Sequence, residues 1–154
     1  MAYTHADGRI IQKARGRFRA LAATAVMAGD LVYMAGSTGV LLATNVTTGG
    51  AFTKDAWAVA CENIASGSEG WCALAVEIKD PDTISTTGGA VTIGAIATTA
   101  DIMSPLYLSA TAGEATSTAP TASSSVIKQY VGYILSVDRI ILAPTNFLTV
   151  AASA

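Results

Sequence analysis

The sequence predicts an all-β protein, a single compact β-sandwich or β-barrel with an extended N-terminal arm, on three observations. Short apolar runs rich in Val, Ile, Leu and Tyr recur along the chain, each bounded by Gly, Ser, Thr, Asp or Pro. One run alternates cleanly, with Cys72, Leu74, Val76 and Ile78 on one face and Trp71, Ala73, Ala75 and Glu77 on the other, which is the period of a strand. No amphipathic helix longer than about ten residues can be written, which argues against a helix bundle.

Residues 1–20 form the expected arm. Lys13, Arg15, Arg17 and Arg19 are spaced two apart, so an extended backbone puts all four cations on one face and Phe18 on the other. A helix would scatter them, and Gly16 would weaken it. An arm or edge strand with a basic face follows. The β-rich domain is expected over 21–154. Ala28-Gly29-Asp30 is a turn signal before Leu31-Val32-Tyr33-Met34, and Gly36-Ser37-Thr38-Gly39 leads into Val40-Leu41-Leu42, which together read as a hairpin. The stretch 44–53 reads as a loop. Ala56 to Glu62 reads as a strand, although its alanines also suit a short helix. Asp80-Pro81-Asp82 closes the run from Trp71 as a turn. Further strands are expected at Ala90 to Ile96, Leu106 to Ser109, Val126 to Leu135 and Arg139 to Leu142. The Ser/Thr/Ala/Pro-rich stretch from about Ala110 to Ser125 is expected as a loop that adds nothing to the core. Gly29 to Gly36 and Ser104 to Ser109 echo each other weakly, which leaves open two related β-modules, about 21–80 and 81–154.

Composition narrows the function. The chain has 154 residues, 13% of them charged, a net charge of −2 and a pI of about 5.2. Globular domains usually carry about 25% charged residues. So little charge suits a surface made soluble by Ser and Thr or one covered by neighbours in an assembly. The charge is uneven: Arg9, Lys13, Arg15, Arg17 and Arg19 are five of the nine cations, and the rest of the chain is net acidic. No polycationic character for direct nucleic-acid binding extends beyond that arm, and no apolar run approaches the ~20 residues of a membrane-spanning helix. No secretory leader is read at the N-terminus.

Catalytic residue types are scarce. The single histidine, His5, sits near a terminus without a fixed partner for acid–base work. Cys61 and Cys72 could form a disulfide with each other, but they form no CxxC pair, supply too few ligands for zinc, and read by default as buried reduced thiols. Asp80 and Asp82 lack the ligand count of a calcium loop. No phosphate-binding or nucleophile-elbow glycine motif is present. No enzyme, cofactor or metal is expected. Trp57 and Trp71 are candidates for either an interface or the core, with at least one of them expected in the core.

The run Leu106-Tyr107-Leu108-Ser109-Ala110-Thr111-Ala112-Gly113-Glu114-Ala115-Thr116-Ser117-Thr118-Ala119-Pro120, followed by Val131-Gly132-Tyr133-Ile134-Leu135 and Ile140-Ile141-Leu142, resembles small structural proteins of tailed-phage virions, of the capsid decoration (cement) type. Ala28-Gly29-Asp30-Leu31-Val32, Gly39-Val40 and Asn63 to Gly70 are similar to the same proteins. The likeness covers about residues 25–145. It implies a compact β domain on the outer capsid surface of a virion, made in the host cytoplasm. It also implies the major capsid protein as partner and a homo-oligomer, a trimer by preference. Under that expectation Arg9, Lys13, Arg15, Arg17 and Arg19 contact an acidic capsid surface. A tail, neck or fibre component and a host-receptor or glycan-binding module are the alternatives.

Overall fold

A computed structural model of the chain describes residues 3–4, 10–46, 54–79, 91–92, 102–121, 126–136, 139–144 and 149–150. The protein is all-β, as expected. The strands are β1 (Tyr3–Thr4), β2 (Ile10–Leu21), β3 (Leu31–Met34), β4 (Val40–Leu42), β5 (Ala58–Ala60), β6 (Glu69–Lys79), β7 (Val91–Thr92), β8 (Pro105–Leu108), β9 (Ala115–Thr116), β10 (Lys128–Ser136), β11 (Arg139–Leu142) and β12 (Thr149–Val150). A 3-10 turn, Gly36–Thr38, lies inside the expected hairpin. All strands belong to one continuous sheet, antiparallel except where β7 meets β9.

The sheet is organised around β6. One edge of β6 pairs with β2 along its whole length, from Ile10↔Lys79 to Leu21↔Glu69. The other edge is shared. Ala73 and Cys72 pair with Val59 and Ala60 of β5, whereas Val76 to Lys79 pair with Leu142 to Arg139 of β11. Neither partner is in register with Leu74 or Ala75. The two halves, β4-β3-β5 and β11-β10-β8-β9-β7, therefore diverge from β6 at that point, and the sheet curls into a half-barrel.

The main core lies between these halves. Leu31, Val59, Cys61 and Ala73 come from one side, and Val76, Ile78, Leu106, Leu108, Val131, Ile134, Ile140 and Leu142 from the other. This arrangement alters the simple alternation expected of β6. Ala73 and Val76 have opposite parity yet enter the same cluster, on either side of the point where the partner strand changes from β5 to β11. Backbone bonds close the far side: Leu31 N–H donates to Gly113 O (2.8 Å), Gly113 N–H to Ala43 O (2.7 Å), Asn45 N–H to Ser109 O (3.0 Å) and Ile127 N–H to Asn45 O (2.8 Å). One core thus draws on residues from both 21–80 and 81–154.

A second, smaller cluster lies on the opposite face of the first half: Ala22, Val26, Val32, Val40, Ala58, Ala60, Ile64 and Cys72. It is roofed by the segment after β2, held through the bridges Ala22↔Val40 and Val26↔Ile64. Strands β3 and β5 are therefore covered on both faces, which is why Leu31, Val32, Ala58, Val59 and Ala60 read as unbroken apolar runs.

One expectation needs correction. The stretch from Ala110 to Ser125 does contribute to the core. Ala115 of β9 is fully buried, and Gly113 bonds across the closure. Ala115 stands opposite the buried Leu108 in the β8–β9 pair, so the lack of large apolar residues did not mean exposure. Simple alternation is also broken within β2. Ile11 and Lys13 share parity, yet Ile11 is buried opposite Ile78 while Lys13 is exposed opposite Glu77. A register shift between them, a β-bulge, turns Ile11 inward and the following cations outward.

The cysteines are free and buried, as expected. Cys61 N–H donates to Trp71 O, and Cys72 stands opposite Ala60. The two thiols therefore belong to opposite faces, Cys61 in the main core and Cys72 in the second, and cannot bridge without backbone movement. Burial pushes Cys61 up to about 12, helped by the neighbouring Cys72, and pushes Cys72 up to about 11, helped by Glu62. Native protein at pH 8 should resist a disulfide-exchange reagent until it is denatured; rapid labelling of both thiols in the fold would contradict this. The unfolded thiols ionise near 9, below the folded values, so above pH 9 the folded state holds more protons than the unfolded one. Stability should therefore fall as pH rises from about 9 to 11. The loss should shrink in a Cys61→Ala, Cys72→Ala variant, as read by urea midpoints.

Candidate functional site

The strand β2 carries the cationic face. Lys13, Arg15, Arg17 and Arg19 stand opposite Glu77, Ala75, Ala73 and Trp71 of β6, so one side of the two-strand ribbon presents all four cations. Phe18 takes the other side, opposite Cys72, and packs against the second core. Arg9 lies outside the described residues, as do His5, Asp80 and Asp82. The residues expected as an arm or edge strand form, from Ile10 onward, a strand paired along one edge with β6. β2 pairs at its outer edge only with β1, at Ile10 and Ile11, among the described strands. The outer edge from Lys13 to Ala20 faces no described strand.

Each cation has its own setting. Lys13 Nζ lies 3.2 Å from Glu77 Oε2, and Arg139 Nη1 donates to Glu77 Oε1 at 3.0 Å. Glu77 is largely buried, so its carboxylate is held between two partly exposed cations, as a buried charge requires. The guanidinium of Arg17 lies over the Trp71 ring, 4.6 Å from its centroid, and that of Arg19 at 5.7 Å. Arg19 Nε also lies 3.7 Å from Glu69 Oε2. Arg15 is exposed and meets no acidic group or hydrogen-bond acceptor among the described residues. Gly16, beside it, has φ +65° and lies against Leu74, whose side chain occupies the space a Cβ would need. A left-handed residue here breaks the flat edge that would invite indiscriminate strand addition.

Arg15 borders a groove of about 480 Å³ on the outer face of the sheet. Its lining comes from four neighbouring strands and the residue after them: Lys13 and Arg15 of β2, Ala75, Val76 and Glu77 of β6, Ile141 of β11, Tyr133 and Leu135 of β10, and Ala143. The solvated face of an antiparallel sheet is normally polar. Here Ala75, Tyr133, Leu135 and Ile141 lie half-buried on it, side by side. Glu77 balances only one of the three cations around it, leaving the rim positive.

Sequence reading identified the cations of this site and missed its floor. Tyr133, Leu135 and Ile141 looked like ordinary strand residues; only the register of β10, β11 and β6 places them beside Arg15. The signal available was parity. Ile140 and Leu142 point inward, so Ile141, at the intermediate position, is an apolar residue left on the outer face.

The aromatic candidates separate clearly. Trp71 is half-buried, packs against the main core and lies under two arginines. Tyr107 is 7% exposed and stacks on Tyr130 at 4.9 Å. Trp57 is 45% exposed, with Phe18 5.6 Å away. Among the described residues no three His, Cys, Asp or Glu side chains cluster as a metal site, and no helix is long and apolar enough to cross a membrane. No protein-family model and no curated protein matches the chain.

Proposed function

We propose that this protein is a structural component of a tailed-phage virion that binds the outer capsid surface as a decoration protein, acting through protein–protein contacts and not catalysis. The observation that carries this reading is the outer face of β2 and β6. Lys13, Arg15, Arg17 and Arg19 are all exposed along one paired strand, and a half-buried apolar groove lies beside Lys13 and Arg15, on a chain otherwise poor in charge. The backbone of a paired strand is already ordered, so docking costs the rotamer freedom of these side chains but little backbone entropy. The major capsid protein is the proposed partner, met through an acidic surface. Assembly as a homo-oligomer, a trimer by preference, would multiply a modest contact into a firm one. Anything that binds the assembled shell and not its separated subunits raises the shell's stability.

The test is binding to capsids expanded without the protein, followed by co-sedimentation and by the temperature at which the shells disrupt. Saturable binding with a raised disruption temperature is expected, weakening as salt rises because the contact is ionic. Assembly into rings or rods with no capsid binding would move the protein to the tail, neck or fibre. The exposed Trp57 beside Phe18 favours one other reading, a glycan- or receptor-binding module, since sugars stack on exposed aromatic rings. Glycan-array signal abolished by Trp57→Ala would support that module.

A further inference from the structure

We infer that the outer-face groove takes an extended segment of the capsid subunit in which an acidic side chain meets Arg15 and neighbouring apolar side chains cover Tyr133, Leu135 and Ile141. This rests on the capsid-binding reading and gives that surface a specific recognition site.

Three observations lead to it. Arg15 is the one cation of the β2 face without a partner among the described residues. Lys13 is paired with Glu77, Arg19 with Glu69, and Arg17 lies over Trp71. A guanidinium offers several fixed N–H donors suited to a carboxylate, and beside a low-dielectric surface that pairing is stronger than in open water. The floor next to Arg15 is apolar where a solvated sheet face would be polar, so covering it releases water as well as seating the ion pair. The groove also has a direction. It runs across four strands from Arg15 on β2 to Leu135 on β10, and strand neighbours lie about 4.8 Å apart. A few extended residues span that distance, with alternate side chains pointing down into the groove. The excess positive charge of the rim selects against a basic or purely apolar segment, and Gly16 spoils the adjacent strand edge for simple sheet extension. Recognition is therefore by side chains lying across the face.

The full-length protein and five variants would be titrated onto expanded shells lacking it: Arg15→Gln, Arg15→Lys, Leu135→Ser, Tyr133→Ala and, as a charge change outside the groove, Lys54→Gln. Urea midpoints of the free variants would be recorded alongside. Arg15→Gln should weaken binding by roughly 10- to 100-fold, the usual worth of a charge-assisted hydrogen-bonded pair. Arg15→Lys should recover part of that, Leu135→Ser and Tyr133→Ala should weaken binding with the folded state intact, and Lys54→Gln should bind as the wild type does. If the wild type binds and Arg15→Gln binds equally well, the groove inference is overturned and the capsid reading stands. Loss with Arg15→Gln alone, while Leu135→Ser and Tyr133→Ala bind normally, would mean a bare charge contact and also overturns it. A wild type that binds no shells removes the capsid reading, and this inference with it.

Discussion

Gly132→Ala should be the most damaging glycine-to-alanine change among the described residues. Gly132 stands opposite Leu142 in the ladder between β10 and β11 and is also in register with Leu106 of β8. A Cβ at this position would sit 1.8 Å from Ile141 O and 2.9 Å from its carbonyl carbon. Those atoms are backbone of a paired strand and cannot rotate away as the end of a side chain could. Relief requires β10 and β11 to separate, which would break the ladder beside Ile134, Ile140 and Leu142, all of them in the main core. Overpacking a well-packed interior costs about 1–3 kcal/mol and more where backbone must move, so a loss of about 3 kcal/mol or more is expected. Against a total of about 5–15 kcal/mol this is severe. The urea midpoint should fall by about 1 M or more. Gly67→Ala is the control. Gly67 has φ +77° but no atom within 4 Å of its Cβ position, so only left-handed strain of about 1–2 kcal/mol applies. A Gly132→Ala protein no less stable than Gly67→Ala would show that β10 and β11 are not packed this closely.

Gln129→Leu should follow it in size. Gln129 is 2% exposed; its Nε2 donates to Ala56 O and its Oε1 accepts from Ala56 N–H, both at 2.7 Å. The side chain completes the backbone pairing of the residue that leads into β5, and it does so from β10, in the other half of the sheet. Leucine keeps about the same volume but leaves one buried donor and one buried acceptor unpaired. Each orphaned group costs about 1–3 kcal/mol, so a total of about 3 kcal/mol is expected. The readout is twofold: a lower urea midpoint, and lost protection of the Ala56 amide in hydrogen exchange. Unchanged exchange at Ala56 would mean that the two halves are joined without this side chain.

Both substitutions lie at places where sequence reading had little to work with. Gly132 sits within a Val-Gly-Tyr run that signals a strand, and nothing local indicates a neighbouring carbonyl at its Cβ position. Gln129 looks like a solvent-facing polar residue beside Lys128, and only the tertiary fold shows it to be buried against a backbone 73 residues away in the chain. The candidate site divides in the same way. The two-residue spacing of Lys13 to Arg19 was enough to align four cations, because side-chain alternation is a local property of extended chain. The bulge after Ile11, the pairing of Lys13 and Arg139 through Glu77, and the open position of Arg15 all depend on which strands lie alongside.

The all-β class, the turn before Leu31 and the aligned cations were determined by the sequence alone. Each follows from preferences acting over a few residues: pleat period and turn chemistry. The splitting of one edge of β6 between β5 and β11 was decided only by the tertiary structure. So were the two cores on opposite faces of the first half, the burial of Ala115, and the apolar groove beside Arg15. These features depend on register between strands distant in sequence. A register shift of one residue exchanges inside for outside without changing any local preference.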